Sequence, residues 1–379
     1  MKLKIFSDKK YLLDADWIRP HPILHPFWLD KSNNSQYPWF NKHDNYIDIG
    51  HSLFDIVSLE EADFAVMPDN WKTVTGEVWS AQVNKQAEEL YVQFAKLADQ
   101  AKKPLIVFFG GARSDEDVPF KNAFIFRQSY YRSRQLKNNF VYPIFCEDLV
   151  KYYLGNDLKI RQKQAKPKVG FCGLIKRDTW KVKLKKNLYS LYRTIQGNPV
   201  IVPPAQGHVL RAQAIDTLSK SLLIEKNFVI RDSMVFLGKD DFEQMYKSRI
   251  DFVENIVSSD YVFCCRGAGN SSIRLFETLC CGRIPILVNT DCVLPYDFTI
   301  DWKKYCVWVE EKELHLIAEK VAEFHEKLSP QEFIDLQYEC RKLWQEWLSS
   351  EGFFSKFYLH FSSNIQQNKE MIPEIVNPG

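Results

Sequence analysis

The order of its apolar segments limits the fold of this chain more than any other feature. In the first 155 residues, short runs rich in β-branched and aromatic residues alternate with segments of helical spacing such as 81–102. The strand-like runs are KLKIF (2–6), DFAVMP (63–68), PLIVFFGG (104–111), AFIFRQS (123–129) and FVYPIF (140–145). Nearly continuous apolar strands separated by helices are typical of a parallel sheet that is covered on both faces. The pattern predicts an α/β fold.

The same alternation starts again in the second half of the chain. The segment 156–167 is polar and basic and contains a proline, which is typical of a linker. Four more strand-like runs follow, with helical segments between and after them: KVGFCGL (168–174), YVFCCRG (261–267), RIPILVN (283–289) and CVWVE (306–310). We therefore predict two Rossmann-like domains with a cleft between them, and C-terminal helices that pack back on the N-terminal domain. The predicted boundaries are 1–155 for the first domain, 156–167 for the linker, 168–330 for the second domain and 331–379 for the C-terminal helices.

Composition excludes several classes of protein. The formal net charge of the 379 residues is +2, so no strong overall field favours nucleic acid or a membrane. No segment resembles a signal peptide or reaches the roughly 20 apolar residues of a membrane-spanning helix. The nine cysteines, without an export signal, predict reduced thiols and a cytoplasmic location. Neighbouring side chains such as Cys264–Cys265 and Cys280–Cys281 do not chelate easily, so we predict no metal site.

The stretch CCRGAGNSSIRLFETLCCGRIPI (264–286) reads as a strand, a glycine turn and a helix. Gly267 and Gly269 allow the sharp turn, and Asn270 or Ser271 is expected to cap the helix. Arg274 then falls in the first turn, where the positive end of the helix dipole disfavours a cation by ~0.3–1 kcal/mol. A cation in this unfavourable place predicts an anionic ligand.

Arg274 and Glu277 are three residues apart and share a side of the predicted helix. Open α/β sheets bind ligands at the C-terminal edge, where this helix begins. Arginine and free N–H groups bind a diphosphate, a carboxylate can hold ribose hydroxyls, and Arg266 can add a second cation. The competing interpretation is an ordinary surface Arg–Glu pair, which is common and weak. A P-loop is excluded because GK[ST] is absent, and the third glycine of a dinucleotide fingerprint is missing.

At this point the chain resembles the exostosin-type glycosyltransferases, glycosyltransferase family 47. The residues that carry the resemblance in the motif are Arg266–Gly267, Ser272-x-Arg274, Glu277 and Gly282-x-Ile284–Pro285. Similar family features continue with Pro295, Asp301 and Trp302, and upstream with SLEEADFAVMP (58–68) and KPKVGFCGLIKRD (166–178). The landmarks spread from about residue 58 to residue 310.

The resemblance implies a GT-B fold and an inverting, metal-independent glycosyltransferase without a further cofactor. It implies a nucleoside-diphosphate sugar, with UDP as the expected nucleotide, on the second domain and a glycan or glycolipid acceptor on the first. The expected donor-binding residues are Arg266, Gly267, Ser271, Ser272, Arg274 and Glu277, together with Lys176 and Arg177 in the loop after the first strand of that domain. One alternative is a non-catalytic nucleotide- or glycan-binding protein on the same scaffold. A nicotinamide-dependent oxidoreductase is weakened by the missing glycine.

An inverting transferase needs a base within reach of the acceptor hydroxyl. Asp69 follows one predicted strand of the first domain and Asp115 follows another, so these two are the expected catalytic candidates, with Asp69 ranked first. His51 and Glu147 are further candidates. Each could equally be a helix cap or a loop carboxylate.

Two other segments have open interpretations. The window 159–186 holds eleven Lys or Arg residues and one acid, Asp178. A solvated linker and helix face is one interpretation, and weak peripheral contact with the anionic inner face of a membrane is the other. The aromatic segment 37–40, YPWF, is interpreted either as packing or as part of an acceptor-binding loop, because aromatic faces stack on sugar rings.

Overall fold

Two parallel sheets, each flanked by helices, make up the computed structural model of the protein. It describes residues 2–15, 18–29, 37–76, 83–175, 180–195, 206–231 and 241–361. The α/β class and the division into two sheets confirm the fold that the sequence predicted. The four domain boundaries themselves stay a prediction.

The first sheet has six parallel strands in the order β2-β1-β3-β4-β5-β6. Its strands are β1 (Leu3–Phe6), β2 (Phe54–Ile56), β3 (Phe64–Val66), β4 (Leu105–Phe109), β5 (Ala123–Arg127) and β6 (Asn139–Val141). Five of the six coincide with the predicted apolar runs, and all residues of the central strand β4 are buried. The exception, β2, is an edge strand that pairs with β1 (Leu3 opposite Phe54), and its central residue Asp55 interrupts any apolar run.

The second sheet has five parallel strands in the order β11-β10-β9-β7-β8. Its strands are β7 (Lys168–Leu174), β8 (Glu225–Arg231), β9 (Tyr261–Cys264), β10 (Ile284–Asn289) and β11 (Val307–Glu310). The four predicted strands are present. The edge strand β8 was not predicted, because it is largely exposed and carries charged residues in place of a continuous apolar run.

Helices cover both sheets. Their bounds are α1 (His25–Trp28), α2 (Asp44–Leu53), α3 (Lys72–Thr75), α4 (Lys85–Gln100), α5 (Leu149–Tyr153), α6 (Trp180–Ile195), α7 (Gln206–Lys220), α8 (Phe242–Val257), α9 (Ile273–Cys280), α10 (Ile317–Lys327), α11 (Pro330–Leu343) and α12 (Ser350–Ser355). Ser329 caps α11 in a reciprocal capping box with Glu332, and Pro330 occupies the first helical position. None of the helices in the described ranges is long and apolar enough to cross a membrane.

The end of the described chain packs on the first lobe. Phe354 in α12 lies against Tyr46 of α2, with ring centroids 4.3 Å apart. Phe357, just beyond α12, lies 4.8 Å from Phe126 of β5. The hydroxyl of Ser350 donates to the Lys42 carbonyl at 3.1 Å. The predicted return of the C-terminal helices to the N-terminal lobe is therefore confirmed.

The segment between the sheets follows the surface of the second lobe. Arg161 forms an ion pair with the buried Asp260 (Nε–Oδ1 2.5 Å). The side chain of Gln337 in α11 accepts from the Arg161 N–H and donates to its carbonyl, each at 2.9 Å. These bonds fix the crossing segment, because a buried amide that satisfies a backbone N–H and C=O together tolerates little displacement.

Candidate active site

The C-terminal edges of the two sheets meet through the loops after β5, β9 and β10. The backbone N–H of Asn270 donates to Ser129 Oγ at 2.5 Å, and its side-chain amide donates to the carbonyls of Tyr130 and Thr290 at 3.1 and 3.0 Å. Gly269 permits this approach, since a Cβ there would lie 2.7 Å from the Cα of Ala112. Asn270 therefore joins the lobes.

The expectation that Asn270 or Ser271 caps the helix is wrong. Ser272 occupies the N-cap position of α9, and its side chain makes no capping hydrogen bond. Asn270 is unavailable as a cap because its amide is used by carbonyls of both lobes. The first turn of α9 thus keeps free N–H groups at the edge of the second sheet.

Three arginines gather at this edge: Arg211 on α7, Arg266 after β9 and Arg274 on α9. Arg274 donates from Nη2 to the carbonyl of Cys172 in β7 at 2.7 Å. Its guanidinium also lies over the ring of Phe171, 4.6 Å from the centroid. Residue 173 is glycine, and a Cβ there would lie 2.9 Å from Nη2, so any larger residue would displace the guanidinium from this position.

Arg266 and Arg211 are tied to the same turn. Arg266 donates from Nη1 to the hydroxyl of Tyr131 in the first lobe at 3.0 Å, and its guanidinium lies over that ring at 5.6 Å. Arg211 donates from Nη2 to the Arg266 carbonyl at 3.1 Å. Gly207 lets α7 come close, because a Cβ there would lie 2.4 Å from that carbonyl oxygen.

These three guanidinium groups, the arginine cluster, carry uncompensated positive charge. The Nε of each is buried without a hydrogen-bond partner, and within the described ranges none lies at ion-pair distance from a carboxylate. Burial, followed by the charge of Arg274, lowers the pKa of Arg211 to about 10. Like charges gathered in a partly desolvated place are costly unless an anion binds. The cluster has the chemistry of a phosphate site, including the free N–H groups of α9.

Glu277 lies one turn deeper and is nearly inaccessible. Its Oε1 accepts from Nη1 of Arg249 in α8 at 2.5 Å, and Nε of Arg249 donates to Glu147 of the first lobe at 2.9 Å. All three side chains are less than a tenth exposed. The interpretation of Arg274 and Glu277 as a surface ion pair is therefore wrong. Arg249 was missed from the sequence, because no motif marks it.

The other expected donor residues lie around the same turn. Ser271 and Ser272 are half-buried and line a narrow crevice with Arg266, Asn270 and Thr290. The N–H of Gly267 donates to the Ser271 carbonyl at 2.9 Å, which closes the turn. Lys176 and Arg177 lie outside the described residues. The donor-binding role of this set stays a prediction, although all its described members except Glu277 are near the arginine cluster.

Asp115 faces this region from the loop after β4. Its loop is fixed by the buried Arg127, whose Nη1 donates to the carbonyls of Ser114 and Glu116, each at 2.6 Å. Burial raises the pKa of Asp115 and the charge of Glu116 raises it further, whereas Arg266 and Arg134 lower it. In the described part of the chain, no side chain donates a hydrogen bond to this carboxylate. Asp115 is thus a half-buried carboxylate with free acceptor capacity opposite the arginine cluster.

Asp69 is occupied inside the first lobe. Its Oδ2 accepts from the hydroxyls of Thr73 at 2.5 Å and Tyr91 at 2.8 Å. Burial raises its pKa, and these hydrogen bonds oppose the rise. Both donors come from the helices α3 and α4 that cover the first sheet. The geometry therefore favours Asp115 over Asp69, the reverse of the order expected from the sequence.

The two remaining base candidates are less suitable. His51 is exposed on α2, where its ring packs edge-on against Phe27 at 4.6 Å. Glu147 is held by Arg249. Across the described ranges, no group of three or more His, Cys, Asp or Glu residues is arranged to hold a metal ion. The nine cysteines are all buried and unpaired.

Two all-parallel sheets whose C-terminal edges face each other, with the last helix of the described residues returning to the first lobe, define a GT-B fold. Residues 212–324 match the family model described as the Exostosin GT47 domain. The match covers α9 and the sheet edge that carries Arg266 and Arg274. The chain is exostosin-like, as its motifs indicated.

Individual relatives are distant. Exostosin-1 of Drosophila melanogaster is 28% identical over 102 residues, which cover 27% of this chain and 13% of the fly protein. Among solved structures, a glycosyltransferase from Rickettsia africae aligns over 89% of this chain and 84% of its own, with 12% identity and a TM-score of 0.34. The catalytic domain of starch synthase IV from Arabidopsis thaliana, bound to ADP and acarbose, aligns over 80% and 56%, with 13% identity and a TM-score of 0.26.

Proposed function

We propose that this protein transfers a sugar from a nucleoside-diphosphate donor, with UDP as the expected nucleotide, to a glycan or glycolipid acceptor. The observation that carries the proposal is the arginine cluster: three guanidinium groups whose Nε atoms are buried and, among the described residues, have no hydrogen-bond partner. They lie at the edge where α/β sheets bind ligands. The match to the Exostosin GT47 domain supports the same activity.

The proposed reaction is a single displacement with inversion. Asp115 takes the proton of the acceptor hydroxyl, and the oxygen bonds to the anomeric carbon as the bond to the diphosphate breaks. The electron pair of that bond leaves with the diphosphate, whose growing negative charge Arg211, Arg266 and Arg274 stabilise. Guanidinium groups that are already in place need no reorganisation during the reaction, and they supply the positive charge that a metal ion would otherwise bring.

The raised pKa of Asp115 suits a base. A carboxylate of ordinary pKa is a weak proton acceptor near neutral pH, and burial makes it a stronger one. The charge of Arg266 lowers the same pKa and so opposes the effect of burial. Asp69 stays a second candidate, although two hydroxyls already use one of its oxygens.

Four aromatic rings that meet between the two lobes support a glycan acceptor. Tyr37, Trp39 and Phe40 precede α2 in the first lobe, and Phe242 begins α8 in the second. Trp39 and Phe242 each lie near Tyr37, at 4.9 Å between centroids in both cases, and Phe40 is 58% exposed. Exposed aromatic faces are unusual on a soluble surface and stack well on sugar rings.

A cytoplasmic location is part of the proposal. The nine unpaired cysteines support it, because free thiols persist in a reducing compartment.

Nucleotide binding and donor turnover test the proposal. Thermal shift with UDP, ADP, GDP and NAD should show stabilisation by UDP and none by NAD. A screen of UDP-sugars for slow hydrolysis should then identify a donor. Binding of UDP without turnover of any donor, with or without glycan acceptors, would favour a non-catalytic binding protein. Stabilisation by NAD alone would overturn the proposal.

A further inference from the structure

Helix α6 presents a row of apolar side chains to solvent. Leu184, Leu188, Leu191 and Ile195 are 53%, 59%, 58% and 77% exposed. Their spacing of four, three and four residues places them along one side of the helix. A leucine exposed singly needs no explanation, but four along one side form a patch that costs free energy in water unless something covers it.

The charge of α6 indicates what covers it. The helix sequence WKVKLKKNLYSLYRTI contains four lysines and one arginine and no acidic residue. A basic helix with an apolar side is the composition of helices that lie in the surface of an anionic membrane. Each basic residue near such a surface contributes attraction, and tryptophan and tyrosine favour the same interface.

Another part of the basic segment 159–186 already makes contacts within the protein. Arg161, near its start, pairs with Asp260 and is held by Gln337. This cation of the linker that precedes β7 is therefore occupied within the protein, whereas α6 contains no acidic residue.

We propose that α6 docks the protein on an anionic lipid surface through Leu184, Leu188, Leu191 and Ile195. The helix follows β7, whose Cys172 carbonyl binds Arg274. A membrane at α6 therefore lies against the second lobe, which also carries the arginine cluster. Where the protein also acts as a glycosyltransferase, this position favours an acceptor carried on a lipid. The docking itself does not depend on the proposed activity.

Vesicle co-sedimentation tests the docking. The probes are phosphatidylcholine vesicles with and without roughly 30% phosphatidylglycerol, an anionic lipid, each at low and at high salt. The wild type should bind only the anionic vesicles, and binding should weaken with salt. The double variant Leu188→Glu/Leu191→Glu should bind at least about tenfold more weakly, because it loses apolar insertion and adds repulsion. Leu136→Glu is the matched control, since Leu136 is 61% exposed elsewhere on the surface, and it should bind like the wild type.

Three outcomes would overturn the proposal. The first is absence of wild-type binding to anionic vesicles, and the second is equal binding by the double variant. The third is a wild-type dimer in solution that the double variant converts to a monomer without any vesicle binding, which would assign the patch to a second copy. Circular dichroism and UDP binding of each variant report folding and the donor site separately, so failure of the glycosyltransferase proposal leaves this test intact.

Discussion

Arg249 holds Glu277 at 2.5 Å (Nη1–Oε1) inside the protein while its Nε binds Glu147 of the other lobe at 2.9 Å. One cation therefore pairs with two buried carboxylates, and helix α9, which carries Arg274 and Glu277, is tied to the chain that follows the first sheet. Arg249 also lies over the ring of Phe252, 5.1 Å from its centroid. This triad fixes the position of α9, and with it the arginine cluster, relative to the first lobe.

Arg249→Met should destabilise the protein strongly. Removing the cation leaves Glu277 without a side-chain partner among the described residues, and leaves Glu147 with only the hydroxyl of Tyr153. Breaking a buried ion pair in this way costs roughly 3–5 kcal/mol. Urea unfolding measures the change. The triple variant Glu147→Gln/Arg249→Met/Glu277→Gln should recover much of the loss, because it also removes the unpaired charges. A single variant as stable as the wild type would show that the triad does not exist in solution.

Arg274→Ala should weaken UDP binding by about 1.5–3 kcal/mol, the range for hydrogen bonds to charged groups. The sequence alone predicts a small effect on folding, but the contacts with Phe171 and Cys172 add a measurable loss of stability. Calorimetric titration with UDP beside melting curves separates the two effects. Lys342→Ala is the control, because that side chain is 71% exposed on α11. Unchanged affinity in the Arg274 variant would remove the arginine cluster from the donor site.

Glu277→Gln should lower stability more than nucleotide affinity. The amide can still accept from Arg249 but carries no charge, and the loss of a charge-assisted hydrogen bond costs about 1.5–3 kcal/mol. The affinity for UDP should fall less than in Arg274→Ala, since Arg249 and Glu147 keep α9 in place. A larger fall in UDP affinity than in stability would instead support the ribose contact that the family resemblance implies.

Asp115→Asn should abolish transfer while preserving UDP affinity, because the amide cannot take a proton. Burial raises the folded-state pKa of Asp115 above its unfolded value, so the folded state binds more protons between the two values and stability falls as pH rises through them. At neutral pH the uncharged asparagine should therefore leave stability equal or higher. The acid limb of the kcat/KM profile should lie above the ordinary aspartate pKa. Full activity of the variant would return the role of base to Asp69.

Trp39→Ala and Phe242→Ala should raise the KM for a glycan acceptor while leaving donor hydrolysis unchanged. Each aromatic ring contact contributes a modest free energy, about 0.5–1.5 kcal/mol. We therefore expect each substitution to raise the acceptor KM several-fold. Phe298→Ala is the matched control, since that ring is 52% exposed at a different place. Equal acceptor KM values in all three variants would reduce the four rings to a structural contact between lobes.

The sequence predicts those elements whose formation depends on residues close together in the chain. Buried strands such as β4 appear as apolar runs, and Ser329–Pro330 marks a helix start because capping depends on adjacent residues. The edge strand β8 escaped prediction because exposure removes the apolar signal. The partners of Glu277 escaped it because Arg249 is 28 residues away in sequence and Glu147 lies in the other lobe, so only the folded chain brings them together.

The return of the C-terminal segment to the first lobe has a consequence for biosynthesis. Phe353, Phe354, Phe357 and Phe361 pack among rings of α2, β3 and β5, including Tyr46, Phe64 and Phe126. The first lobe therefore lacks part of its interior until residue 361 has left the ribosome, although its own strands end at residue 141. Contacts over such sequence separations form late and slowly. We expect the N-terminal half of the nascent chain to stay incompletely packed, with exposed aromatic surface that chaperones bind, until synthesis is nearly complete.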